Sequence, residues 1–126
     1  ATEQSDEDLV HRTLAGEQHA FADLVRRYRR AALARALAIL GDPAEADDIA
    51  QEAFVHAYEQ LATCRQPARF AAWLLTIVHR RSLNRLRTIR RRRLVPLEDT
   101  VPADRTDAPG HDLERADLRT RLLAAL

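Results

Sequence analysis

The stretch GDPAEADDIAQEAFVHAYEQL, residues 41–61, holds a helix stop followed at once by a helix start. Gly41 is suited to the left-handed conformation that ends a helix. In Asp42-Pro43-Ala44-Glu45, Asp caps, Pro occupies the first turn where its missing N–H costs nothing, and Glu reaches back to the cap. Apolar residues then recur at positions 46, 49, 50, 53, 54, 57, 58 and 61, an almost unbroken helical stripe. Burial of Ile49, Phe54 and Leu61 would contribute roughly 1.5–3 kcal/mol each. Asp47, Asp48, Gln51, Glu52, Val55, His56 and Glu59 fall on the opposite side. The stretch carries six carboxylates and no Arg, in a chain with twenty Arg and no Lys.

Outward from this helix the pattern stays helical. Thr63 to Arg69, interrupted by Pro67, reads as a loop. A further helix follows from about Phe70 to Arg91, with Phe70, Trp73, Leu74, Ile77 and Val78 as its core stripe. Towards the N-terminus, Glu17 to Leu40 forms a long helix whose Phe21, Leu24, Val25, Tyr28, Ala32, Ala36 and Ile39 face a core. Arg26, Arg27, Arg29 and Arg30 make its solvated rim. Ser5 and Asp8 open a shorter helix that Gly16 ends, with Leu9, Val10 and Leu14 as its buried side. The expected fold is therefore all-α, a compact bundle of about four helices over residues 1–93. Residues 94–112, with three Pro, one Gly and several Asp, read as a linker. Residues 113–126 restart an amphipathic helix too short to stand alone, as expected where a second domain begins and has been cut away.

Several function classes are set aside by what is present. The five His are scattered, with no HExxH and no CxxC. Glu52 and His56 share a helix face, but two ligands without a third make a surface pair rather than a metal centre. No phosphate-cradling Gly loop, nucleophile elbow or apolar carboxylate pair is found, so neither catalysis nor a cofactor is expected. No apolar run approaches membrane-spanning length. The single Cys64 cannot form an intrachain disulfide, which favours a reducing cytoplasm, and it is expected to be an unremarkable loop residue.

Charge is more informative. The formal net charge of +1 conceals an acidic block followed by a basic one: from Gln60 to Leu97 there are ten Arg and no acid. Arg at a helix C-terminus is favoured by the macrodipole, and charge runs are usually solvated. Ten Arg without an acid nevertheless repel one another unless something anionic offsets them. Arg also forks onto phosphates and stacks on bases. The preferred reading is a nucleic-acid face. Trp73, a core residue by periodicity, is also large enough to offer a stacking platform if its edge reaches the surface.

DDIAQEAFVHAYEQL, a loop, and then FAAWLLTIVHRRSLNRLR resemble the second conserved region of bacterial sigma factors, most closely the extracytoplasmic-function class. The likeness covers about Asp6 to Arg93 and centres on Asp48, Gln51, Glu52 and Phe54. It implies a helical promoter-binding domain, a flexible linker and a helix-turn-helix domain, of which Asp112 to Leu126 would be the first turns. It implies that the acidic helix docks on a basic coiled coil of the RNA polymerase β′ subunit through Asp47, Asp48, Gln51, Glu52 and Glu59, with Val55 and His56 on the same face. The loop, with Arg65, Gln66 and Arg69, would capture a flipped base of the minus-ten element. Trp73, Arg80, Arg81, Asn84, Arg85, Arg87, Arg90 and Arg91 would track the non-template strand of promoter DNA. Leu74 stands where primary sigma factors carry a second Trp, so melting should depend more on the loop and promoter choice should be narrower. An anti-sigma partner is also implied. The alternatives are a sigma-like interaction module held by such a partner without DNA function, and an RNA-binding protein using RTIRRRR (87–93).

Overall fold

The computed structural model describes residues 4–94 together with Thr120 and Leu122. Within residues 4–94 four helices follow one another: α1 (Asp6–Leu14), α2 (Gln18–Leu40), α3 (Pro43–Glu59) and α4 (Phe70–Leu94). Two single 3₁₀ turns, Leu61–Thr63 and Pro67–Arg69, shape the segment between α3 and α4. The arrangement is the all-α bundle of the sequence reading. The linker and the restarted helix assigned to 94–112 and 113–126 lie outside the described residues, apart from Leu94, Thr120 and Leu122.

Local chemistry sets the helix ends. Ser5 Oγ accepts from the Asp8 amide at 3.1 Å and caps α1. Gly41 adopts φ 71° and its N–H donates to Leu37 C=O at 2.8 Å, which closes α2. One residue later Asp42 accepts from the Ala44 amide at 2.9 Å, with Pro43 in the first turn of α3. Glu45 does not return to this cap as the sequence pattern predicts. Its carboxylate turns to Arg85 of α4, a stronger charge-assisted partner than a backbone amide.

The long α2 is the central element, packed against each of the other three helices, and α3 also packs on α4. Phe21, Leu24, Val25, Ala32 and Ala36 of α2 meet Ile49, Ala53, Phe54 and Ala57 of α3 and Phe70, Leu74 and Val78 of α4 in one apolar cluster. Leu122 joins the same cluster. An aromatic group fills one end. Phe21 meets Tyr58 and Phe70 edge to face, at 5.1 and 6.4 Å between centroids. Tyr28 and Trp73 each lie 5.8 Å from Phe70.

Two burial expectations are corrected. Leu14 is 50% exposed, because α1 turns Leu9, Val10 and Thr13 inward and Leu14 falls about 100° further round from Thr13. Val55, assigned to the polar side of α3, is buried at 3% exposure. A helix covered by one neighbour has a single apolar stripe, whereas α3 is flanked by both α2 and α4.

Candidate functional site

The chemistry that remains after the core is built lies on α3, on α4 and in the turn segment between them. Helical geometry places residues about 100° apart, so neighbours in sequence can serve different surfaces. On α3, Glu45, Asp48 and Glu52 follow one another at three- and four-residue spacing and share a stripe. Asp47 and Gln51 lie on the adjoining stripe, with Gln51 Nε2 donating to Asp47 Oδ2 at 2.7 Å. Asp47 is exposed, and Gln51, His56 and Glu59 are half-buried.

The first stripe faces α4. Arg85 Nη1 donates to Glu45 Oε1 at 2.5 Å, and Arg85 Nη2 donates to Asp48 Oδ2 at 3.1 Å and Glu52 Oε2 at 2.9 Å. Arg81 Nη1 adds a bond to Glu52 Oε1 at 3.2 Å. These groups are partly shielded from water: the Arg85 side chain is 26% exposed and that of Glu52 is 29%. Burial raises the pKa of Glu52, and its hydrogen bond and charge interaction with Asp48 push the same way, against the pull of Arg85 and Arg81. Burial works against the charge of Arg85, but the bonds to Glu45 and Asp48 outweigh it and raise its pKa.

On α4 a second stripe points to solvent. Arg80, Asn84, Arg87 and Arg91 are exposed and spaced four, three and four residues apart. Trp73, half-buried on Phe70, and exposed Thr76 continue that line towards the helix N-terminus. Arg87 Nη1 donates to Asn84 Oδ1 at 2.9 Å, which ties two members of the stripe. Arg90, also exposed, lies beside it. The N-terminal end of α4 has no acid in its first turn. Its dipole therefore adds to the charges of exposed Arg65 and Arg69, and Gln66 is exposed between them. Buried Phe70 and Cys64 anchor this turn segment, with Cys64 Sγ donating to Gln66 C=O at 3.8 Å.

The residues assigned from sequence thus divide into three groups. The structure brings Arg65, Gln66, Arg69 and Trp73 to the end of α4 from which the Arg80–Asn84–Arg87–Arg91 stripe runs. It leaves Asp47 and Gln51 facing outward on α3. It joins Asp48 and Glu52, read as a partner face, to Arg81 and Arg85, read as a strand face. Sequence reasoning missed Glu45, which was taken as a cap. The signal was the four-residue spacing of 81 and 85 against the 45–48–52 series on the preceding helix.

Residues 24–93 match the sigma-70 region 2 family. The chain belongs to the sigma-70 family. Within it, curated relatives place the chain in the extracytoplasmic-function class. It is 34% identical to the RNA polymerase sigma-H factor of Pseudomonas aeruginosa, over 99% of this chain and 67% of that one. It is 36% identical to the ECF RNA polymerase sigma factor SigM of Mycobacterium tuberculosis, over 82% of this chain and 54% of that protein. A third relative, the RNA polymerase sigma factor NccH of Alcaligenes xylosoxydans xylosoxydans, is 37% identical over 86% of this chain and 60% of its own. The chain spans between about half and two thirds of these three proteins. No solved structure matches it significantly. Among the described residues of this sigma-70 family member, no helix is long and apolar enough to cross a membrane.

Proposed function

We propose that this chain is the promoter-binding portion of a transcription initiation factor. It binds RNA polymerase core through the outward edge of α3 and holds the single non-template strand of the minus-ten element along α4. The observation that carries this reading is the exposed Arg80–Asn84–Arg87–Arg91 stripe, which begins beside Trp73 and the basic turn segment. Such a line offers phosphate partners along a strand and, at one end, a ring on which a base can stack. Asp47 and Gln51 form the outward edge offered to a basic coiled coil of the polymerase β′ subunit, while Glu59 and His56 sit at the far end of the stripe that carries Asp48 and Glu52. Complementary charge there sets encounter rate and register. The reading places the factor in the cytoplasm and leaves room for an anti-sigma protein on the same surfaces.

Roles differ along the strand path. Arg80, Arg87, Arg90 and Arg91 neutralise phosphates. Arg65, Gln66 and Arg69 surround the position of the unstacked base, and Trp73 supports it. The test is a base-by-base substitution series in fork-junction DNA bound by the reconstituted holoenzyme. Gln66→Ala or Arg65→Ala is expected to cost roughly 1–3 kcal/mol at one base position only. A uniform loss at every position would remove the loop from base recognition. A pull-down with polymerase core separates this reading from an arginine-rich RNA-binding role, which predicts no capture.

A further inference from the structure

We propose that Arg85 is a positioning residue, clamping the middle of the basic helix to the acidic helix rather than contacting a phosphate. The inference deepens the function proposed above and rests on its assignment of α4 to the DNA strand. Three carboxylates, Glu45, Asp48 and Glu52, converge on this one guanidinium, and Glu52 is shared with Arg81 one turn earlier. Both Nη atoms of Arg85 are engaged. A planar fork with fixed donors fits such a set, whereas an ammonium would meet it only as a point charge.

Geometry explains why the clamp sits there. The apolar anchoring of α4 thins out along its length: Phe70, Leu74 and Val78 are fully buried, and after Ser82 no α4 residue is. Beyond that point the helix continues through Leu94, which is 80% exposed. Arg85 is the first residue past the core that ties α4 to a neighbouring helix through several bonds at once. The exposed stripe lies about 100–160° round the helix from Arg85. With Arg85 fixed on α3, Asn84, Arg87 and Arg91 leave the bundle at one angle and in one rotational setting. Phosphate spacing along a strand rewards a row of cations held in this way, because less freedom is lost on binding.

The test combines two readouts on the whole chain. Spin labels at Ala44→Cys and Leu94→Cys, in a Cys64→Ser background, report the distance between the start of α3 and the far end of α4. A narrow distribution is expected with Arg85 present, a broadened one in Arg85→Ala, and a partly restored one in Arg85→Lys. The second readout is the salt dependence of holoenzyme binding to fork-junction DNA. Arg85→Ala should weaken binding with its slope in log salt unchanged, whereas Arg87→Ala should reduce the slope by about 0.7, one phosphate's worth for a single strand. Should Arg85→Ala fold poorly, Glu45→Gln loosens the same clamp from the other side without touching the basic helix and should also broaden the distribution. An unchanged distribution in both variants, or a slope reduced by Arg85→Ala, would overturn the clamp. A slope unmoved by Arg87→Ala would instead strike the strand assignment of α4, and the label distances would still judge Arg85.

Discussion

Ser82 sits midway along α4 at 0% exposure, and its hydroxyl finds no hydrogen-bond partner among the described residues. A buried polar group left unpaired costs about 1–3 kcal/mol, and Ala is also the better helix former. Ser82→Ala is therefore expected to stabilise the bundle by about 1 kcal/mol, raising the melting temperature by roughly 4–8 °C for a domain of this size. A lower melting temperature would mean that the hydroxyl has a partner that matters. Tyr28 is the opposite case, a polar group well served. It donates to Asp6, which also pairs with Arg27 and so holds α1 on α2. Burial and the bond to Asp6 push its pKa up to about 12. A folded-state pKa above the unfolded value near about 10 favours the neutral phenol, so this contribution is whole below pH 10 and is lost as pH rises through 12. Alkaline titration of phenolate absorbance should show a late step that Tyr28→Phe removes. Persistence of that step in the variant would assign it elsewhere. Cys64, read from sequence as bland despite the adjacent Arg65, is buried, and burial raises its thiol pKa. Slow alkylation of the folded chain is the expected result.

Among elements, α3 has two polar edges with different work. Asp48 and Glu52 hold α4, so reversing both to Arg sets them against Arg81 and Arg85 and should lower the melting temperature as well as any partner affinity. Asp47→Arg is the cleaner change, because Asp47 is exposed and, among the described residues, bonds along its own helix to Gln51. It should weaken capture by polymerase core at least several-fold while circular dichroism and the melting temperature stay close to those of the parent. A variant with full core affinity would move the docking surface off this edge. The helix limits were legible in sequence because Ser5, Gly16, Gly41 and Asp42-Pro43 act on their own backbone. Val55 and Glu45 were not, for a shared reason. Their environment is set by where α4 lies against α3, and no periodicity within one helix encodes a neighbour's rotation. The same holds for Arg85: its spacing from Arg81 marks a face, but only the packed pair shows that the face meets carboxylates rather than solvent.

At the scale of the whole molecule, the acidic and basic blocks offset each other in part inside the fold. Glu45, Asp48 and Glu52 neutralise Arg81 and Arg85 across the α3–α4 contact, and what is left over on each side faces outward. The outward remainder on α3 is anionic and that on α4 cationic, which suits a factor bridging a basic protein surface and a nucleic-acid strand. The central claim is that these two outward faces are separable. Its most direct measurement is the salt dependence of fork-junction binding by holoenzyme carrying Arg80→Ala, Arg87→Ala and Arg91→Ala together, read beside core affinity in the same protein. The slope in log salt is expected to fall by roughly 2, at about 0.7 per phosphate, with core affinity unchanged. An unchanged slope, or a loss of core affinity in its place, would contradict it.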